Sequence, residues 1–298
     1  MSLLLQQICN GIAIGAAYGL FAMGFGLTFA TLNVFNVAMG TVATWGAIVA
    51  LFGVSTLDLP LPVAGALAVV VIGVLGVVIN QVCVEPIRRR RDGEFFGVLL
   101  TTIGAWIVLL NLATIATDAT FQSFPLGSFP RGYHDVLGVT LSSMQLITIG
   151  AAAVLGVVLY VFVHRTRAGT TIRAVGADPR SASLAGINPR LVLVGTAFLS
   201  AAIVGFSGLL YSVTTNNVSF EIGENLLLKG LAAVIVGGFG DMRGALLGGL
   251  LIGLSETLSA QYVSTSFRDA ISFGLLLLFL LVRPRGLIAP RQYAQAAS

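Results

Sequence analysis

Residues 61–91 read LPVAGALAVVVIGVLGVVINQVCVEPIRRRR. An apolar run from Leu61 to Val82 stops shortly before four consecutive arginines, Arg88, Arg89, Arg90 and Arg91. As a helix rising about 1.5 Å per residue, the run spans the roughly 30 Å hydrocarbon core of a bilayer. Each arginine placed at the centre of such a helix costs about 2.5 to 3.5 kcal/mol, so the tetrad belongs in a loop and marks the edge of a membrane span. The rest of the chain has the same character. Of its 298 residues 56% are hydrophobic and 9% charged, and the mean hydropathy is +0.96, whereas soluble domains run at about 25% charged. A chain so short of charge cannot cover a water-facing surface, and it reads as one integral membrane domain over 1–298.

Apolar segments fall near Leu3 to Phe29, Val37 to Phe52, Leu61 to Val82, Gly97 to Ile115, Met144 to Val163, Leu191 to Val213, Leu227 to Gly238, Ala245 to Leu258 and Ala270 to Val282. Three are shorter than the roughly 17 residues a straight crossing needs. The expected fold is therefore an all-α, polytopic membrane helix bundle of about 8–10 membrane elements, some of them half-helices or re-entrant hairpins. The first 30 residues lack the charged start and cleavage site of a secretory signal and are retained as the first span.

Arginines orient the bundle. With Arg88 to Arg91 on the cytoplasmic side, Arg165, Arg167, Arg173, Arg180, Arg190, Arg243, Arg283, Arg285 and Arg291 fall there too. Only Arg131, Arg268 and Lys229, the last at a span edge, remain outside. The bias predicts an inner-membrane protein with its amino terminus outside and its carboxyl terminus in the cytoplasm. The net charge of +4 is explained by these loops, and no nucleic-acid partner is implied.

The cytoplasmic loop 164–190 contains a short helix signal. Asp178 can cap, Pro179 suits the first helical position, Arg180, Ser181, Ala182, Ser183, Leu184 and Ala185 continue it, and Gly186 can close it. This helix is expected to lie parallel to the membrane. The outside loop Asp118 to Leu141, with Pro125, Gly127, Pro130 and Gly132, reads as irregular.

Two polar interruptions, Thr31 to Asn36 and Thr214 to Ser219, place Asn33, Asn36, Thr214, Thr215, Asn216 and Asn217 at or near membrane depth. Broken backbone survives there only where it is packed in protein or faces a wet cavity, which makes these residues candidates for a translocation pathway; ordinary turns at a membrane face are the plainer reading. An internal echo links the breaks. Gly24, Asn33, Val34 and Gly40 are matched by Gly208, Asn217, Val218 and Gly223, as two related halves would require.

Glu256 is an ionisable residue inside a span, expected to face a cavity or bond a neighbouring helix, or to snorkel outward. Gly244, Gly248, Gly249 and Gly253 present small faces suited to close helix packing. The glycine clusters lack the Lys-Ser/Thr ending of a phosphate-binding loop. His134 and His164 lie in loops on opposite sides with no nucleophile beside either, and Cys9 and Cys83 sit in apolar runs. No catalytic set, metal cluster or bound cofactor is indicated.

Several motifs in order resemble the permease subunits of ATP-driven importers for branched-chain amino acids, the LivH-like group. They are Ala182 through Gly186-Ile187-Asn188; Gly237-Gly238-Phe239-Gly240 followed by Gly244-Ala245-Leu246-Leu247-Gly248-Gly249; Glu256; Arg268-Asp269-Ala270-Ile271; and Arg283, Pro284, Gly286 and Leu287. The resemblance implies a non-catalytic permease that pairs with a homologous permease, two cytoplasmic ATPase subunits that use the ATP, and an extracytoplasmic solute-binding protein, all within membrane lipid. It also implies that Asp178 to Gly186 is the helix that couples to the ATPase. The chain departs from the family at Asn36-Val37-Ala38-Met39-Gly40-Thr41, where Asn-Phe-Ala-His-Gly-Glu is usual, and at Arg180-Ser181-Ala182, where Glu-Ala-Ala is common. The first departure leaves urea, short amides and small aromatic acids as alternative solutes. From another class, a stand-alone secondary transporter or channel would need ionisable relay groups at the midplane.

Overall fold

The computed structural model describes residues 2–88, 94–125, 132–136, 139–238, 240–282 and 286–287. Arg89 to Arg91, Arg131, Phe239, Arg283 to Arg285 and Arg291 lie outside them. All nine apolar segments are helical. In chain order the elements are α1 (Ser2–Leu32), α2 (Met39–Ser55), α3 (Leu61–Ile79), a π-helical turn (Asn80–Val84), α4 (Glu85–Arg88), α5 (Glu94–Ala116), β1 (Tyr133–Val136), β2 (Val139–Ser142) and α6 (Ser143–Arg165). They continue with α7 (Arg167–Ala177), α8 (Pro179–Leu184), α9 (Pro189–Thr215), α10 (Ile222–Gly237), α11 (Met242–Tyr262), a 3-10 turn (Thr265–Phe267) and α12 (Arg268–Val282).

Among the described residues five helical stretches are long and apolar enough to cross a membrane: Leu3–Leu32, Leu61–Arg88, Phe95–Ala116, Ser143–Arg165 and Pro189–Thr215. Burial divides them. α1 and α9 are mostly enclosed by protein, whereas α5 and α6 are mostly bare, with Leu100, Val108, Ile115, Val154 and Val157 facing outward. Apolar side chains at the periphery have no water to avoid when lipid is the solvent, so the bundle is polytopic and membrane-embedded. The three segments expected to be short are longer as helices, because α10 continues back through Glu224 to Ile222, α11 runs from Met242 through Arg243 and on to Tyr262, and α12 starts at Arg268.

The loop between α5 and α6, expected to be irregular, is not so throughout. Tyr133–Val136 pairs antiparallel with Val139–Ser142, and Ser142 then starts α6 with a reciprocal capping box to Gln145. Between α6 and α9 a second helix, α7, appears where only a polar loop was expected. Thr166 caps it by accepting from the Gly169 amide at 3.1 Å, and Gly169, Ile172 and Val175 are its buried residues. His164, assigned to a loop, lies in the last turn of α6.

Two clusters define the ends of the bundle. One joins Leu32, Val34, Val84, Val98, Val175, Ala182 and Leu193 and so gathers the end of α1, the start of α9, and α7 and α8. The other joins Ile48, Val54, Ala64, Ala113, Phe124, Met144, Val213 and Val218, next to the hairpin. Helix α1 therefore finishes where α9 begins, and the two run antiparallel. Each ends in a left-handed asparagine, Asn33 (φ 54) and Asn216 (φ 48), followed by a break and a short helix. Asparagine tolerates this conformation better than most residues because its side chain bonds locally. The structural match of Asn33 is thus Asn216 rather than Asn217. The breaks start at these asparagines, while Thr31, Thr214 and Thr215 remain helical.

The halves meet at α2 and α10. A Cβ at Gly40 would stand 2.8 Å from the Gly223 carbonyl oxygen, and a Cβ at Gly223 would collide with that of Gly40. The Thr44 hydroxyl accepts from the Gly223 amide at 3.0 Å, serving one of the donors that a helix start leaves open. The glycines of α11 point two ways, not one. Gly249 and Gly253 lie against Gly15 and its neighbours on α1, and Gly244 and Gly248 lie against Gly237 and Ala233 on α10. α11 is wedged between α1 and α10 at backbone contact.

Candidate functional site

The two breaks sit at opposite ends of the bundle. Asn33 is exposed and Asn36 buried at the end holding α7 and α8, where the Asn36 Oδ1 accepts from the Ala38 amide at 3.1 Å. Asn216 and Asn217 lie at the hairpin end, where the neighbouring Val218 exchanges backbone hydrogen bonds with Gln122 at 2.7 and 2.9 Å. The six candidates for the pathway are therefore not brought together, and the breaks lie near the bundle ends rather than at one common depth. Asn217 Oδ1 is buried and has no hydrogen-bond partner among the described residues.

At the hairpin end a cavity of about 400 Å³ opens between α1, α6, α9, α11 and α12. Thr214 and Thr215 line it, together with Gln7, Asn10, Gln145 and Gln261. The amides hold one another. Gln145 Nε2 donates to Asn10 Oδ1 at 2.6 Å, Asn10 Nδ2 to Gln7 Oε1 at 3.3 Å, and Gln7 Nε2 to Gln261 Oε1 at 3.1 Å. Thr214 meets Thr148 hydroxyl to hydroxyl at 2.8 Å.

The cavity wall also contains a charge cluster that sequence reasoning did not assemble. Glu256 of α11, with 1% of its side chain exposed, accepts from Lys229 Nζ and from Arg268 Nη2, both at 2.7 Å from Oε1. Its Oε2 accepts from the Tyr18 hydroxyl at 2.9 Å. Lys229 is 2% exposed and also reaches Asp269 at 3.1 Å. Lys229 is therefore not at a span edge but inside α10, its ammonium 5.6 Å from the Tyr18 ring centre, and Tyr18 stacks on Tyr211 at 5.8 Å. The cluster ties together α1, α10, α11 and α12. Ionised groups inside a membrane bundle survive by pairing, and three partners hold the Glu256 carboxylate. The only sequence signal was the presence of single charges in otherwise apolar segments.

At the other end α8 carries the predicted cap. Asp178 accepts from the amides of Arg180 and Ser181 at 2.9 and 3.2 Å, Pro179 occupies the first turn, and Gly186 (φ 81) closes the helix. The amide of Ile187 returns to the Ala182 carbonyl at 3.1 Å and that of Gly186 to Ser183 at 3.0 Å, a glycine-closed terminus that uses the last free carbonyls. The Ser181 hydroxyl and the amides of Arg180 and Ser181 hold the Asp178 carboxyl below the usual carboxylate range. Ala182 is buried, whereas Leu184 is 89% exposed, an apolar side chain left standing in the open.

Among the described residues no group of three His, Cys, Asp or Glu could hold a metal.

The chain matches the family described as the permease component of branched-chain amino acid transport systems over residues 7–280. It is 30% identical over 295 residues to BraD of Pseudomonas aeruginosa, a high-affinity branched-chain amino acid transport system permease protein, with 95% of each chain covered. LivH of Escherichia coli K12 is similar to the same degree, 30% with 95% of each chain covered. A probable branched-chain amino acid transport permease protein LivH from Methanocaldococcus jannaschii is 30% identical, covering 90% of this chain and 87% of its own.

Proposed function

The chain belongs to the permease components of branched-chain amino acid transport systems, and from that membership we propose how it works within an ATP-driven importer. It is a multi-pass inner-membrane subunit whose solutes are branched-chain amino acids. The relatives, which are branched-chain amino acid transport permeases, favour this solute class over urea, short amides or small aromatic acids. One integral membrane domain over 1–298 pairs with a homologous permease, two cytoplasmic ATPase subunits and an extracytoplasmic solute-binding protein. The chain carries out no chemistry itself, and ATP is used by the ATPases.

In this reading the hairpin end and the amino terminus face outward and the carboxyl terminus lies in the cytoplasm. The arginine bias supports that orientation. Thr214, Thr215, Asn216 and Asn217 then stand at the outer end of the translocation pathway, and Asn33 and Asn36 at its inner end. The segment Asp178 to Gly186 receives the ATPase. The observation that supports the coupling role is the build of α8: a helix fixed at both termini, ending in an exposed Leu184 and packed through Ala182 on the starts and ends of the long helices. An element so braced passes on a push without bending.

Reconstitution tests the whole reading. Proteoliposomes holding this chain, its paired permease and the ATPases, supplied with binding protein, should take up leucine only when ATP is inside the ATPase-facing compartment. Uptake that persists without the ATPases would sink the proposal.

A further inference from the structure

Arg268 is the charged group of the cluster that stands at the hairpin-end cavity with its guanidinium partly open. It is 38% exposed, against 1% for Glu256 and 2% for Lys229. Only its Nη2 is close to Glu256, and its Nε lies 4.0 Å from Asp269. A guanidinium has five donors in a planar fork, so donors remain for a ligand. The pairing points the same way. Lys229 and Arg268 share one buried carboxylate oxygen, and the second carboxylate, Asp269, is 59% exposed. Two cations balance two carboxylates, and Arg268 is the cation that borders the cavity, whose amides are mostly occupied with one another. Its volume, about 400 Å³, lies within the roughly 300–1,000 Å³ of small-molecule sites. Ile14 and Ala260 supply apolar wall.

We infer that this cavity is a solute station in which Arg268 receives the α-carboxylate of an aliphatic amino acid. The inference rests on the permease reading and adds to it a receptor group. A planar carboxylate matches the guanidinium fork with two parallel hydrogen bonds. The ammonium of the same solute is directed to the neutral hydroxyl of Thr215, because Glu256 is already paired with Lys229, Arg268 and Tyr18. A carboxylate is therefore required for binding and an ammonium is not.

The test uses the assembled permease pair with its ATPases, without binding protein, in a background of Cys9→Ala and Cys83→Ala. Thr265→Cys at the rim is labelled with a small water-soluble maleimide, and the labelling rate is followed with added leucine, with 4-methyl-2-oxopentanoate, which lacks the ammonium, and with isopentylamine, which lacks the carboxylate. Leucine and the oxo acid should slow labelling and the amine should not. Arg268→Gln should raise the half-protecting leucine concentration about tenfold or more, the loss expected for a charge-assisted pair, and Arg268→Lys should raise it less. Protection by the amine but not the oxo acid would overturn the inference, as would protection unchanged in Arg268→Gln. If that variant does not assemble, the comparison of the two analogues on the unmodified arginine decides. Leucine uptake by the full transporter is measured in parallel. Uptake without protection removes the station alone, whereas no uptake removes the permease reading beneath it.

Discussion

Lys229 and Glu256 meet at 2.7 Å from helices α10 and α11, with 2% and 1% of their side chains exposed. Removing one member strips a buried charge of one of its two counterions, since Glu256 keeps Arg268 and Lys229 keeps Asp269, so the loss should fall below the roughly 3–5 kcal/mol of a fully unpaired buried charge. Lys229→Met and Glu256→Gln should each lower the thermal unfolding temperature of the purified complex in detergent. The double variant should lose less than the two single losses added together. Strict additivity in that cycle would show that the two side chains do not act as a pair.

The cap of α8 gives a pH prediction. Because the folded-state carboxyl of Asp178 lies below its ordinary value, its contribution is fully present above the ordinary carboxylate pKa of about 3.9. It is lost as pH falls through the lower folded-state value. Amide exchange of residues 179–184 should quicken over that acidic window in the parent chain. In Asp178→Asn, which keeps the capping oxygen but cannot ionise, the exchange should not acquire this acid step.

Gly186 adopts φ 81 with open space where a side chain would go, so the objection to substitution is backbone strain alone. Gly186→Val should cost roughly 1–2 kcal/mol locally and loosen the end of α8. Membrane insertion should be normal and ATP hydrolysis should continue, while leucine uptake per ATP falls. Uptake at the parental rate would remove the coupling role.

The matched asparagines predict a matched pair of phenotypes. Asn33→Gly and Asn216→Gly keep access to the left-handed region and should leave unfolding nearly unchanged. Asn33→Val and Asn216→Val should each destabilise by about 1–2 kcal/mol, measured as lowered unfolding temperature in detergent. Equal behaviour of the Gly and Val variants would show that backbone conformation is not what these positions require.

The parts legible in the sequence were those set by near neighbours. The nine apolar segments, the cap at Asp178 and the closing Gly186 depend on spacings of a few residues. Lys229 was misplaced because its partners are Glu256 and Arg268, in other helices, and a charge among leucines reads as a boundary until the counterion is seen. The echo of Asn33 was set one residue late, at Asn217, because Asn216-Asn217 offers two asparagines and only the backbone torsion distinguishes them. Helix α7 was missed since its apolar residues, Ile172 and Val175, are few and its other face is solvated. The cavity was out of reach for a different reason: five helices contribute to it, and no local pattern states which ends converge.

The contact between Gly40 and Gly223 has a consequence for biosynthesis. The second glycine is 183 positions after the first, and at about 5–20 residues per second the ribosome needs roughly 10–40 s to reach it. During that interval the Thr44 hydroxyl has neither the Phe220 carbonyl nor the Gly223 amide that it meets in the finished protein. The nascent amino-terminal half must therefore wait at the translocon or in lipid with the surface around Gly40 and Thr44 uncovered.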